Sequence, residues 1–380
     1  MSVHPKYEGA RTSWGINALG SCVVEVEADD GTTGVGVTTA GEPGCYIVEK
    51  HLSRFVEGAD PRDVEKLYDQ MYRATTNYGR KGLPLQAISA VDLALWDLLG
   101  KLRNEPVYAL LGGKTKDRLP VYCTCAYPEV AQKLGFAGAK IPCPYGPAHG
   151  DEGFAKNVEY FKRQRAKVGP DFPLALDCYM ALSVPYAIKL AKALEPYKLK
   201  WMEEFLHPDD YDGYKEVRQA LHGCSVLTTT GEHEYSRYGF RQLIADRAVD
   251  VLQPDITWLG GMTEARRVVA MASAYDIPVI PHGSSIYSYH LQYAFANCPL
   301  AEFINLAPKA DVLAPYFGGL FADEPMPKDG FIDLPDRPGF GVTLVRDNLH
   351  RPYERSAAAS EAQASANRKP DALCKPRYRL

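Results

Sequence analysis

The stretch Leu174–Asp177 reads LALD, three apolar residues that end in an acid before polar residues and a helix-like segment. Four later apolar runs have the same form, and they lead to Glu203, Glu232, Asp255 and His282. Asp177 and Glu203 lie 26 positions apart, Glu203 and Glu232 lie 29 apart, and Asp255 and His282 lie 27 apart. One strand, one helix and two loops take roughly 25 to 40 residues. The spacing therefore predicts strands of a β/α barrel, with all five side chains at the C-terminal face, where such barrels keep their active sites.

The composition is that of a soluble globular protein with room for a large core. The chain has 380 residues, of which 46% are hydrophobic and 24% charged. A net charge of −4 and a pI near 6.2 argue against nucleic acid or an acidic membrane surface as a partner.

The N-terminus lacks the pattern of a secretory signal. Residues 277–301, the longest stretch without Asp, Glu, Lys or Arg, contain prolines and would make a poor membrane span. We therefore expect a cytoplasmic protein, and nine cysteines without a Cys-x-x-Cys pair indicate reduced thiols.

The chain around this pattern divides into segments of different periodicity. Residues 21–37 alternate around Asp29–Gly31 and predict a hairpin, whereas residues 48–72 and 86–102 have helical periodicity. From residues 119–122 to residues 301–306 the pattern alternates between strand and helix, and it contains eight strand candidates. Beyond residue 308 the chain is rich in Gly and Pro.

These segments predict an α/β protein in which a β/α barrel carries an α+β capping domain. We assign residues 1–115 to the N-terminal part of the cap and residues 116–307 to the barrel. Residues 308–354 are expected to return to the cap. Residues 355–380, rich in Ala and Ser with few large apolar side chains, are expected to be disordered.

Three carboxylates on one rim suit a divalent cation that prefers oxygen ligands. Mg²⁺ fits Asp177, Glu203 and Glu232, because it takes few protein ligands and leaves positions for water and substrate. His282 can be the base, since an imidazole ordinarily titrates near neutral pH, and Asp255, one strand earlier, can hold its second ring nitrogen. A cation and a base together allow a proton to be removed from carbon beside a carboxylate, since the cation stabilises the charge that develops on the carboxylate oxygens.

The same residues lie within a wider set of short motifs. They read SWGIN (13–17), VDLALWD (91–97), LDCYM (176–180), WMEE (201–204), GEH (231–233), QPD (253–255), PHGSS (281–285) and PGFG (338–341). Together they resemble the enolase superfamily, specifically its mandelate-racemase-like branch, and within it most closely the L-rhamnonate dehydratases. The resemblance covers roughly residues 13–353.

This resemblance implies a barrel of the enolase type and an acid-sugar dehydratase. Asp177, Glu203 and Glu232 would bind Mg²⁺, and the pair formed by Asp255 and His282 would take the proton from C2. Loss of the C3 hydroxyl then gives a 2-keto-3-deoxy acid, and His282 can also protonate that hydroxyl if both groups lie on one face. Glu302, the acid of the eighth strand, would either donate a hydrogen bond to the substrate carboxylate when protonated or serve as an ionised structural acid.

Three further residues are expected at the substrate. Lys140 stands where racemase relatives have Lys-x-Lys, but here the sequence is KIP (140–142), and the missing second lysine favours elimination over racemisation. Lys140 would bind or polarise the substrate carboxylate, the alternative being a surface lysine. His233 would contact substrate hydroxyls or pack behind the ligands. Arg11 falls where relatives have a substrate-binding arginine.

Several alternatives to an L-rhamnonate dehydratase stay open. One is a dehydratase for L-lyxonate, L-mannonate or galactonate, and another is a racemase or cycloisomerase of the same superfamily. The third is a non-catalytic protein without a lid, because the relatives begin with an additional strand and a mobile loop whose histidine His4 does not match. A truncated start would account for that difference. The resemblance also implies a homo-oligomer.

Overall fold

The computed structural model describes residues 19–307 and 309–349. The described residues up to Val345 form one compact unit, and the 3₁₀ turn Arg346–Asn348 belongs to a second. Arg11 and the predicted tail, residues 355–380, lie outside the described residues.

The first elements form the predicted hairpin. Strands β1 (Cys22–Glu27) and β2 (Thr33–Thr38) pair antiparallel, with Cys22 opposite Thr38. In the turn, the Asp30 side chain accepts a hydrogen bond from the Thr32 amide at 2.9 Å, and Gly31 has a φ of +84°. Both features belong to tight turns, where a short acid and a glycine suit the backbone.

The helices of the cap follow the hairpin. Their bounds are α1 (Gly41–Ile47), α2 (Ser53–Val56), α3 (Val64–Thr75), α4 (Leu83–Arg103) and α5 (Val107–Leu110). A π-helical segment, Val48–Leu52, joins α1 to α2. The prediction of one helical stretch over residues 48–72 was wrong in its continuity, because the chain leaves the helix after Val56 and re-enters at Val64. Gly58, at a φ of +71°, and Pro61 lie in the interruption, and neither favours a continuous helix.

Helix α4 is the central helix of this region. It is apolar and long enough to cross a membrane, but 89% of its most apolar window is buried within the protein, as in the core helix of a soluble domain. Strand β2 lies directly against it, since a Cβ added at Gly36 would come within 1.9 Å of the Ala90 carbonyl oxygen. Glycine is thus required there for the close approach of backbone to helix.

The barrel begins at residue 119 and is built from parallel strands separated by helices. In chain order its elements are β3 (Leu119–Thr124), α6 (Pro128–Lys133), β4 (Ala139–Pro142), α7 (Gly150–Val168), β5 (Leu174–Asp177), α8 (Val184–Leu194), β6 (Leu199–Glu203), α9 (Tyr211–Ala220), β7 (Leu227–Thr230), α10 (Ser236–Ala245), β8 (Val251–Leu252), α11 (Gly261–Ser273), α12 (Ile286–Ala294) and β9 (Ala301–Ile304). The sheet runs from β3 to β8 in sequence order, and β9 pairs with the other side of β3. Parallel order places every strand's carboxyl end on one face.

Residues 277–281, the seventh of the eight strand candidates, are less regular than predicted. Among the described residues their only bridge joins Val279 to Leu252. Pro278 and Pro281 lack the amide hydrogens that a ladder requires, which explains the interruption. Seven strands therefore form ladders, and an irregular segment lies between β8 and β9.

The segment after the barrel returns to both parts of the fold. Strand β10 (Phe331–Ile332) pairs antiparallel with the start of β3. Further on, the Phe340 amide donates to Asp97 in α4 at 2.8 Å, and the Val107 amide donates to the Gly339 carbonyl at 2.9 Å. The exact division into residues 1–115, 116–307 and 308–354 stays a prediction.

Candidate active site

The three predicted metal ligands lie at adjoining strand ends. Asp177 ends β5 and Glu203 ends β6, and the two are register partners across the sheet. Glu232 lies two residues beyond β7, in the loop rather than in the strand. Glu203 is fully buried and 4% of Glu232 is exposed, while the Trp201 indole donates to Glu203 Oε2 at 3.1 Å. Buried carboxylates this close need positive charge nearby.

Lys140 supplies part of that charge from β4. Its ammonium contacts Glu203 and lies 2.9 Å from Glu302 Oε1 and 3.9 Å from Asp177 Oδ2, and the side chain is 1% exposed. Burial by itself lowers the pKa of Lys140, but Glu203 and Glu302 outweigh it and raise that pKa well above its usual value. Lys140 is therefore a charged counter-ion inside the site and not a surface lysine.

One lysine does not balance all the buried acids, and their pKa values separate accordingly. Burial raises the pKa of Glu203 to about 8, against the effect of Lys140, with Asp177 adding to the rise. Burial also acts to raise the pKa of Glu302, but Lys140 and His282 outweigh it and lower that pKa to about 2. Glu302 is thus ionised in this arrangement, which favours the structural alternative over a protonated donor.

His282 and Asp255 form the predicted pair. The His282 Nδ1 lies 3.0 Å from Asp255 Oδ2, and its Nε2 lies 3.3 Å from Glu232 Oε2. The other Asp255 oxygen accepts from the Thr257 amide at 2.7 Å, the Thr257 hydroxyl at 2.6 Å and the Ser284 hydroxyl at 2.9 Å. Asp255 is held firmly, so it fixes the imidazole with Nε2 facing the ligand set.

The charge around His282 favours its protonated form. Burial lowers the pKa of His282, but Glu232 and the hydrogen bond that His282 donates to Asp255 outweigh this and raise it to about 10. The imidazolium and Lys140 are therefore two cations that oppose the acids of the site.

His233 occupies a second position on the same rim. Its Nδ1 lies 2.8 Å from Glu204 Oε2 and 3.3 Å from Glu232 Oε1. Burial lowers the pKa of His233, but these two acids raise it to about 9. Glu204, His233 and Glu232 offer ligand atoms within 4.8 Å of one another, a group that differs from the predicted ligand set. Two members of this group, His233 and Glu204, already form a hydrogen-bonded pair, which explains why their atoms lie so close together.

Two aromatic residues of the site were missed by sequence reasoning. The ring of Trp258 lies 5.3 Å from that of His233 and 5.8 Å from that of His282, and its indole donates to Thr39 at 2.8 Å. Trp258 follows Asp255 by three residues, in a loop at the C-terminal face, and this position could have predicted that it lies in the site. Tyr316 lies against Gly283, and its Gly- and Pro-rich surroundings gave no signal at all.

The fold and this arrangement of acids beside a His–Asp pair agree with comparisons to known proteins. Residues 10–112 match the mandelate racemase/muconate lactonizing enzyme N-terminal domain, and residues 128–348 match the enolase C-terminal domain-like family. The chain belongs to the enolase superfamily, in its mandelate racemase/muconate lactonizing enzyme family.

Within that family the similarity extends to particular enzymes. The L-rhamnonate dehydratase of Saccharopolyspora erythraea is 55% identical over 355 residues, which cover 93% of this chain and 91% of that protein. The crystal structure of L-rhamnonate dehydratase from Gibberella zeae superposes with a TM-score of 0.88 at 52% identity, covering 91% of this chain and 88% of the other. A structure of the Gibberella zeae enzyme complexed with Mg gives the same TM-score and identity, covering 91% and 85%.

Proposed function

We propose that this chain is a Mg²⁺-dependent acid-sugar dehydratase that converts L-rhamnonate to a 2-keto-3-deoxy acid by loss of water. The observation that carries this proposal is the placement of His282, whose Nδ1 is held by Asp255 at 3.0 Å while Nε2 faces Glu232 at 3.3 Å. A base is thereby positioned beside the ligand set, as removal of a proton next to a carboxylate requires. The choice of L-rhamnonate rests on the similarity to the two L-rhamnonate dehydratases.

Asp177, Glu203 and Glu232 would hold the cation. They fit Mg²⁺ because all three offer carboxylate oxygens from neighbouring strand ends, and burial together with the neighbouring acids raises the pKa of Glu203 to about 8. When bound, Mg²⁺ supplies positive charge against the carboxylate of the acid sugar.

The protein groups handle the proton. Unprotonated Nε2 of His282 takes the C2 proton, and the resulting imidazolium is stabilised by Asp255, which Thr257 and Ser284 hold in place. The same imidazolium then gives this proton to the C3 hydroxyl, which leaves as water while the electron pair of the C2–H bond forms the C2–C3 double bond. The resulting enol becomes the 2-keto product. A single base suffices for this sequence, consistent with a chain that has KIP (140–142) in place of Lys-x-Lys.

The remaining site residues have binding roles in this proposal. Lys140 holds positive charge beneath the substrate carboxylate, and Glu302 keeps Lys140 ionised at 2.9 Å. His233, with 21% of its side chain exposed beside the ligands, donates a hydrogen bond to a substrate hydroxyl. Arg11 as a substrate contact, the homo-oligomer and the cytoplasmic location stay predictions.

A panel of acid sugars tests the proposal. Formation of keto acid is measured from L-rhamnonate, L-lyxonate, L-mannonate and galactonate, with Mg²⁺ and with EDTA, and the His282→Asn variant serves as the matched control. We expect turnover of L-rhamnonate that EDTA and the substitution both abolish. Turnover restricted to another sugar would change the substrate, epimerisation without loss of water would indicate a racemase, and silence toward all four acids would contradict the proposal.

A further inference from the structure

Tyr316 reaches the active site from the segment that follows the barrel. A Cβ placed on Gly283 would lie 3.3 Å from the Tyr316 hydroxyl and 3.5 Å from its Cε2 atom. Gly283 directly follows His282, and its amide donates to Glu302 at 2.8 Å. The phenol hydroxyl therefore lies on the wall of the site that His282 and Glu302 share.

The backbone of Tyr316 is fixed by a buried acid. Glu324, 8% exposed, accepts hydrogen bonds from the Tyr316 amide at 2.9 Å and the Phe317 amide at 3.1 Å. It also accepts from the Ser285 hydroxyl at 2.7 Å, three residues after His282. Because one carboxylate joins both loops, the position of the Tyr316 ring relative to His282 is set by the fold and does not depend on a ligand.

The surroundings of the phenol determine what it can offer. Burial raises the pKa of Tyr316 well above its usual value, and Asp255, Glu302 and Glu232 add to the rise, while the amide of Ser284 acts on the phenol oxygen in the opposite direction. The phenol thus keeps its proton at any working pH. Since its oxygen already faces an amide donor, its single O–H is left to be donated to another acceptor.

We propose that Tyr316 is a substrate-contacting residue, whose phenol donates a hydrogen bond to an oxygen of the bound sugar acid next to His282. The inference rests on the proposed function for the identity of the ligand. The acid sugar is rich in hydroxyl and carboxylate oxygens, and the phenol is a neutral donor among carboxylates that repel such oxygens. A protonated phenol therefore supplies a neutral donor on the wall that His282 and Glu302 share.

Binding in an inactive background tests the contact without relying on turnover. The dissociation constant of L-rhamnonate is measured by calorimetry with Mg²⁺ present, in His282→Asn and in the same variant with Tyr316→Phe. The phenylalanine keeps the ring against Gly283 and removes only the hydroxyl. We expect binding to weaken by about five- to tenfold, the usual effect of losing one such hydrogen bond.

Tyr293→Phe in the same background is the matched control. Tyr293 is buried, and its hydroxyl donates to the Ile332 carbonyl at 2.8 Å, beside the amino end of β3 and thus at the opposite end of the barrel. Its loss should leave the dissociation constant within about twofold. An unchanged constant in Tyr316→Phe, or an equal change in Tyr293→Phe, would overturn the contact.

Wild-type turnover in the sugar panel separates this inference from the proposed function. If the wild-type protein dehydrates L-rhamnonate and Tyr316→Phe binds it normally, the contact alone is wrong. If L-rhamnonate binds and Tyr316→Phe weakens it, but no acid is dehydrated, the contact stands and the proposed reaction is wrong. Failure of all four acids to bind would overturn both.

Discussion

Lys140→Met should destabilise the metal-free protein far more than the protein saturated with Mg²⁺. The Lys140 side chain is 1% exposed, and its ammonium lies among Glu203, Glu302 and Asp177. Methionine keeps the length and much of the volume of the side chain but removes the charge. Without a cation the three acids would then face one another in a buried site.

The size of the effect follows from those contacts. Removing one partner of a buried ion pair costs about 3–5 kcal/mol. The pKa of Glu203 is already raised to about 8, so this acid can relieve part of the strain by holding a proton. We therefore expect the lower end, about 3 kcal/mol, in EDTA. With Mg²⁺ bound, the cation balances the same acids and most of that loss should disappear.

Urea unfolding followed by circular dichroism measures this difference in EDTA and in saturating Mg²⁺. Lys167→Met is the matched control, because Lys167 pairs with Glu129 at 3.1 Å on the surface, with 43% and 37% of the two side chains exposed. Such an exposed pair contributes up to about 1 kcal/mol, whether or not Mg²⁺ is present. Equal losses for Lys140→Met in the two conditions, or a loss in EDTA no larger than the control's, would refute the role of Lys140 as a counter-ion.

Three further predictions concern the metal and the base. His282→Asn should abolish exchange of the C2 proton in deuterated water and leave Mg²⁺ binding in place, and unaltered exchange would exclude His282 as the base. Glu232→Gln should weaken Mg²⁺ binding at least about tenfold, since even the partners of metal ligands contribute that much, and an unchanged calorimetric titration would exclude it as a ligand. Mg²⁺ should bind more tightly at about pH 8.5 than at about pH 6.5, because the pKa of Glu203 is raised to about 8 and its proton must leave before the cation binds. Affinity that is flat over this range would contradict that linkage.

The candidate metal ligands and the His282–Asp255 pair could be found from the sequence because each follows a short apolar run. That pattern is local, and parallel order alone brings the ends of such runs together. The pairing of Asp255 with His282 is of this kind, and the structure places the two side chains 3.0 Å apart. The irregular segment at residues 277–281 was also visible in principle, since Pro278 and Pro281 cannot join a ladder.

Contacts between distant segments were not accessible in the same way. Lys140 meets Glu302 only because β3 lies between β4 and β9, and no local pattern of the sequence encodes that contact. Tyr316 meets Gly283 through a loop fixed by Glu324, in a part of the chain without periodicity. Sequence reasoning named Lys140 and Glu302 as site residues but not their contact with each other, and it missed Trp258 and Tyr316, which line the site.

The same electrostatics link the metal to the base. Without a cation, Glu232 and Asp255 raise the pKa of His282 to about 10, so the imidazole holds a proton at neutral pH and is not a base. A divalent cation held by Glu232 would cancel much of that attraction and repel the imidazolium 3.3 Å away. His282 would then lose its proton, while Asp255 still holds Nδ1 and fixes the direction of Nε2. Under the proposed mechanism, the base form would thus become available when the cation that stabilises the substrate charge is in place, and the site itself would suppress proton abstraction without the metal.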